Sequence, residues 1–144
     1  MTRRLKVAGA LLLVGLSSVI VTGRALRADW PGNRDVCAYA VVGHEILNGK
    51  KLYAGIWDHK PPAVHVAYVL AEVLCGYGPA QFVLLSAATS VLGLLLVYGL
   101  AIREFRAFPT AALAALVWTL LSFDIGLELW EPNCEVFSFS CGSS

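Results

Sequence analysis

Charged side chains are scarce in this chain: Asp, Glu, Lys and Arg make up 15% of its 144 residues, where a soluble domain carries about 25%. The few charges almost cancel, 11 Lys+Arg against 10 Asp+Glu, which excludes a basic nucleic-acid-binding surface and implies no strongly charged partner. The four cysteines (Cys37, Cys75, Cys134 and Cys141) show no Cys-x-x-Cys spacing, so neither a zinc site nor a disulfide-stapled miniprotein is expected. They read as small buried apolar residues, with a disulfide as the alternative. There are no internal repeats and no low-complexity segments. What is abundant is apolar surface: 58% of residues are hydrophobic and the mean hydropathy is +0.69. A chain of 15.4 kDa cannot hide that much in one small core, which points to a membrane and excludes a disordered chain.

A membrane-spanning helix needs about 20 apolar residues, with a usable range of roughly 17–25. Residues 5–23, 79–102 and 107–123 meet or approach that length, and a fourth span is expected to start near Val136. The expected fold class is therefore all-α, a polytopic transmembrane helix bundle. The first segment, behind Arg3, Arg4 and Lys6, also resembles a secretory signal; without a small-x-small cleavage site, an uncleaved signal anchor is the stronger reading. Those three cations, and Arg103 with Arg106 between the second and third segments, assign the N-terminus and that turn to the cytoplasm. Residues 24–78 then form one long outer loop. The loop holds six basic residues itself (Arg24, Arg27, Arg34, Lys50, Lys51 and Lys60), so segment length carries the topology better than charge.

The loop is too long for a mere connector. It reads as two short helices around a rigid turn. Asp35 is expected to cap the first, over 36–47, with Val36, Cys37, Ala40, Val41 and Leu47 on its apolar side. Asn48-Gly49 should stop it, residues 50–56 should cross in extended form, and a second apolar helix should begin at Ala63 and lie at the membrane interface. Between them stands Trp57-Asp58-His59-Lys60-Pro61-Pro62. Each proline pushes the residue before it out of the helical region, and Pro62 suits a first helical turn. Lys60 is thus held beside a helix N-terminus, an arrangement matched to phosphate. The plainer alternative is a solvated lysine before a proline-initiated helix.

A second acidic cluster, Asp124, Glu128, Glu131 and Glu135 with Asn133, follows the third span. Carboxylates close to a span are costly and usually kept for use, although Asn133 and Glu135 also suit the start of another helix. His44, His59 and His65 are not spaced as metal ligands, with His59 the one that adjoins the turn. Trp30, Trp118 and Trp130 read as interface anchors or core; Trp57 is also a candidate sugar-stacking platform.

In order, Arg34-Asp35, Asn48-Gly49-Lys50-Lys51-Leu52-Tyr53, Asp58-His59-Lys60-Pro61-Pro62 and Pro132-Asn133-Cys134-Glu135 resemble the N-terminal part of polytopic membrane glycosyltransferases of the GT-C fold. The nearest kin are the family 39 protein mannosyltransferase-like enzymes, among them aminoarabinose transferases of lipid A and rhizobial lipopolysaccharide galacturonosyltransferases. The resemblance covers essentially the whole chain but only part of the family's length, so the chain is expected to be a fragment. It implies transfer of a sugar from a polyprenyl-phosphate carrier to a lipid, glycan or protein acceptor at the outer face of a bacterial inner membrane. Carried over, it gives Asp35 the role of base or acceptor-orienting group and Glu135 that of a second catalytic carboxylate. Lys60 becomes the lipid-phosphate ligand, with Asp58 and His59 counted in the same site. Many members carry Asp-Glu where this chain has Asp35-Val36, which weakens any metal-assisted scheme in this loop. No cofactor is expected, and the spacing gives no support to a divalent metal. The competing reading is a small non-enzymatic integral membrane protein, such as an assembly factor or a transporter piece; transporters, however, place charge and broken helices at mid-membrane.

Overall fold

A computed structural model of the protein describes residues 3–28 and 34–123. These form five α-helices and no strand: α1 (Arg3–Ala25), α2 (Arg34–Leu47), α3 (Pro62–Cys75), α4 (Pro79–Phe105) and α5 (Phe108–Leu121). The chain divides into two compact units, one holding residues 3–26 and 87–123, the other 27–28 and 34–86.

In the first unit, α1 and α4, of 23 and 27 residues, are each long and apolar enough to cross a membrane. The expected third span is shorter than anticipated. α5 is helical for 14 residues, about 21 Å at 1.5 Å per residue, against a hydrocarbon core of about 30 Å. Its start is set by Pro109 in the first turn, and its end by Ser122, whose N–H returns to the Trp118 carbonyl. The core joins Ile20, Leu94 and Ala115, with Leu13, Leu16, Val91, Tyr98 and Trp118 around them. Gly93 is needed here, because a Cβ would collide with the Trp118 indole. The indole N–H donates to the Ser90 carbonyl over 2.9 Å, and Trp118, half-buried, packs against this core.

Contacts fix the helix directions. Gly9 lies against Tyr98 and Phe108, whereas Arg24 reaches Ser90 and Ser122. α1 thus runs antiparallel to α4 and parallel to α5, and Arg3, Arg4 and Lys6 share an end with Arg103 and Arg106. Arg24 is a correction to the sequence reading. It is not a loop residue but sits in the last turn of α1, 2% exposed. Its Nη2 donates to Ser90 Oγ over 2.9 Å and to the Ser122 carbonyl over 2.7 Å, and its guanidinium lies 5.7 Å from the Phe123 ring centroid. A cation at the carbonyl end of α5 also complements the dipole of that helix.

The second unit is built on α2, α3 and the start of α4. Its core is Val36, Tyr39, Ala40, Val64 and Tyr68, with Phe82 and Leu85 against it. The buried face of α2 is Val36, Tyr39, Ala40, Val42 and Gly43; Cys37, Val41 and Leu47, expected inside, are exposed. Cys75 is exposed too, so neither described cysteine is a buried apolar residue. α2 stops at Asn48-Gly49 as expected. Gly49, at φ 90°, closes a Schellman motif in which its N–H bonds Ile46 O and the Lys50 N–H bonds Glu45 O, both over 3.0 Å. Residues 50–56 are not extended. The Lys51 carbonyl accepts the N–H groups of Ala54, Gly55 and Ile56, and Tyr53 turns through φ 65°. The second helix begins at Pro62, one residue before the expected start, with Pro61 extended at φ −59°, ψ 146°.

Candidate functional site: the turn before α3

The register of α2 on α3 decides what the unit brings together. The Tyr39 and His65 rings lie 5.9 Å apart. A Cβ at Gly43 would stand 3.1 Å from Tyr68 Cβ, and His44 meets Glu72 at 2.7 Å. Positions rise together along both helices, so they run parallel, and both N-termini lie at one end of the pair. By this register Asp35 comes level with the Pro61-Pro62 step. It does not cap α2, as expected, but occupies its first helical turn, exposed, because α2 already begins at Arg34. A carboxylate there is favoured by the helix dipole without any capping bond.

At the same end, Asp58 organises the turn. Its side chain is 12% exposed. Oδ1 accepts the Lys60 N–H over 3.2 Å and faces His59 Nδ1 at 3.3 Å. Oδ2 faces Nε2 of His65 at 3.4 Å. Tyr53 reaches across from the preceding turn, its O–H donating to the Lys60 carbonyl over 2.6 Å. Both backbone polar groups of Lys60 are therefore held by side chains, and Pro61 restricts the backbone on its C-terminal side. The lysine is half-buried and His59 largely exposed. Trp57, 76% exposed, stands at the start of the turn.

His65 is the residue that sequence reasoning missed. It is fully buried, and neither ring nitrogen makes a hydrogen bond among the described residues. Burial lowers its pKa below the ordinary histidine value, and the Asp58 carboxylate works in the opposite direction. Desolvation prevails, so the ring is neutral at pH 7, and the tautomer that faces a carboxylate carries its proton on Nε2. The only signal in the sequence was a histidine one turn inside a proline-initiated apolar helix, which reads equally well as core.

At the other end of the pair His44 donates from Nδ1 to Glu72 Oε1 over 2.7 Å and lies against Tyr77, the rings tilted with centroids 4.4 Å apart. These groups are remote from the turn along both helices. No cluster of three or more metal-ligating side chains occurs among the described residues. Glu135, the acidic cluster around it, Trp30, Trp130, Cys134, Cys141 and the expected span near Val136 lie outside the described residues.

By helix register the arrangement sets an exposed carboxylate level with a backbone-clamped lysine, at the end of the pair where both helices begin. Such a place can hold a phosphate and keep a proton acceptor near it. No family model, no curated protein and no solved structure matches the chain.

Proposed function

We propose that the chain is the N-terminal part of a polytopic GT-C membrane glycosyltransferase, similar to the family 39 protein mannosyltransferase-like enzymes. It would transfer a sugar from a polyprenyl-phosphate carrier to a lipid, glycan or protein acceptor. The observation that carries this reading is the clamped turn at Asp58–Lys60, which lies level with Asp35 on a parallel helix. Attack on a phosphate-linked sugar needs a base for the acceptor hydroxyl and positive charge on the departing phosphate. Asp35 supplies the first and Lys60 the second, while Asp58 holds the lysine backbone in place. Glu135 is assigned the second carboxylate role on the resemblance alone.

Two apolar helices of spanning length support a membrane location. The gathering of Arg3, Arg4, Lys6, Arg103 and Arg106 at one end of α1 and α4 supports a cytoplasmic assignment for that end. On this reading residues 27–78 face outward and the protein is a multi-pass component of a bacterial inner membrane.

The experiment is binding of a polyprenyl phosphate to the purified protein in detergent. Lys60→Ala should weaken binding by about one to two decades, the worth of a charge-assisted phosphate contact of roughly 1.5–3 kcal/mol. Lys60→Arg should restore it only in part, because a forked guanidinium does not replace a point charge. Pro61→Ala should also weaken it, with no charge removed, by freeing the lysine backbone. Binding by Lys60→Ala as tight as wild type would leave the turn a helix start and nothing more.

A further inference from the structure

We infer that His65 is a positioning residue for the lipid-phosphate site: from inside the α2–α3 core it anchors Asp58, and through Asp58 it fixes the backbone of Lys60. The inference rests on the function proposed above and adds to it a residue that never meets the ligand.

The geometry is directional. Oδ1 of Asp58 serves the exposed side, accepting the Lys60 N–H over 3.2 Å and facing His59. Oδ2 serves the buried side and looks at His65 Nε2, 3.4 Å away. One carboxylate thus ties an outer turn to an inner helix. Without His65 the carboxylate would be held from its exposed side alone, by the Lys60 N–H and His59, and the Lys60 N–H would have a less fixed acceptor. His65 cannot follow it outward, because its ring is fully buried and set edge-on to Tyr39 at 68°.

An ordinary core histidine has its buried nitrogens satisfied, since an unpaired buried polar atom costs about 1–3 kcal/mol. Here neither nitrogen makes a hydrogen bond among the described residues, and a leucine or phenylalanine would fill the same space without that cost. The separation from Asp58 lies just beyond the usual range of about 2.7–3.2 Å. Contacts of this length in a binding site tighten as a ligand is engaged. A phosphate drawing Lys60 toward it pulls on Asp58 through the Lys60 N–H, and the Nε2–H of His65 is the donor placed to resist.

The test reads the turn itself as well as its ligand. Amide hydrogen exchange at Lys60 is measured in the detergent-solubilised protein for wild type, His65→Phe and His65→Gln. Phenylalanine keeps the edge-on packing against Tyr39 and removes the donor; glutamine places an amide N–H close to the position of Nε2. His65→Phe should speed exchange at Lys60 by about tenfold, the scale of one hydrogen bond involving a charged group, and weaken polyprenyl-phosphate binding. His65→Gln should restore both. Exchange at Tyr39 and Tyr68 reports whether the helix pair remains folded. Unchanged Lys60 exchange in a folded His65→Phe protein overturns the inference. If that variant unfolds, His65→Gln decides alone: fast Lys60 exchange in a folded Gln variant overturns it equally. Because the exchange measurement contains no lipid, it stands apart from the proposed function, which fails on its own if Lys60→Ala binds phosphate normally.

Discussion

The two units of this protein treat buried polarity in opposite ways. In the unit of α1, α4 and α5 the one buried charged residue among the described residues is Arg24, and its hydrogen-bond and ring contacts described above are to uncharged groups: a serine hydroxyl, a backbone carbonyl and an aromatic ring. Neighbouring polar side chains also turn to backbone, Thr119 to the Ala115 carbonyl and Ser122 to that of Thr119. In the unit of α2 and α3 each of the three histidines faces a carboxylate. The first pattern closes helix ends, where carbonyls lack intrahelical donors. The second fixes side chains and a turn relative to each other, which helix formation does not require. The contacts named in the first unit serve the fold, whereas those in the second call for a further reason, and a binding turn supplies one.

The largest effect is expected for Arg24→Met. It preserves apolar bulk but leaves the buried Ser122 carbonyl without its guanidinium donor. If Arg24 closes the end of α5, the first unit should lose about 3 kcal/mol, within the range for hydrogen bonds to a charged group. Denaturant unfolding in micelles, followed by Trp118 emission, measures it; an unchanged midpoint would move Arg24 out of the structural class. A smaller loss, about 2 kcal/mol, is expected for Gly93→Val, which drives a side chain into the Trp118 indole. Its readout is a shifted Trp118 emission together with a lower midpoint.

The last prediction concerns pH and belongs to the second unit alone. The folded pKa of His65 is depressed by burial, so below the unfolded value of about 6.5 the unfolded chain binds more protons than the folded one. The stability contributed by the neutral ring is fully present above that pH and is lost progressively as pH falls toward the folded pKa. Exchange protection of the α2–α3 amides should fall as pH drops below about 6.5, and His65→Gln should remove that part of the slope. An identical slope in the variant would assign the pH dependence to other groups.

How far the sequence could be read depended on which kind of signal each element carried. Backbone-restricting residues were legible: Asn48-Gly49 ended α2, Pro61-Pro62 opened α3, and Pro79 opened α4 where expected. The apolar face of α2 was misread because its closest approach is made by a glycine. Gly43 has no hydrophobic weight, yet it admits the α3 backbone and rotates Tyr39 inward and Cys37 outward. Arg24 was misread because a charge beside an apolar run looks like the end of a helix; oxygens distant in sequence, on α4 and just beyond α5, help make its burial tolerable. Tyr53 gave no warning of a left-handed backbone, as bulky residues rarely adopt one. Of the site, Lys60 and its prolines were visible as a local pattern. The link from Asp58 to His65 was not, since two prolines separate them and no periodicity connects them. The role of Asp35 as a cap failed because α2 is already helical at Arg34, two residues before the expected start, within the usual uncertainty of a helix start.

The parallel pairing of α2 and α3 also has a consequence for how the unit assembles. Two antiparallel helices meet first beside their connecting turn, after closing a loop of a few residues. Here Tyr39 can find His65 only after the whole intervening chain has doubled back. The equilibrium penalty is small, about 0.6 kcal/mol for each doubling of loop length, but the search precedes any reward, so it slows the rate rather than eroding the final stability. The three N–H groups gathered on the Lys51 carbonyl and the stiff Pro61-Pro62 step shorten that search by folding the connector locally beforehand. The segment that carries the lysine would then act twice: first as the hinge that lets the helix pair nucleate, and afterwards as the turn that the pair holds still.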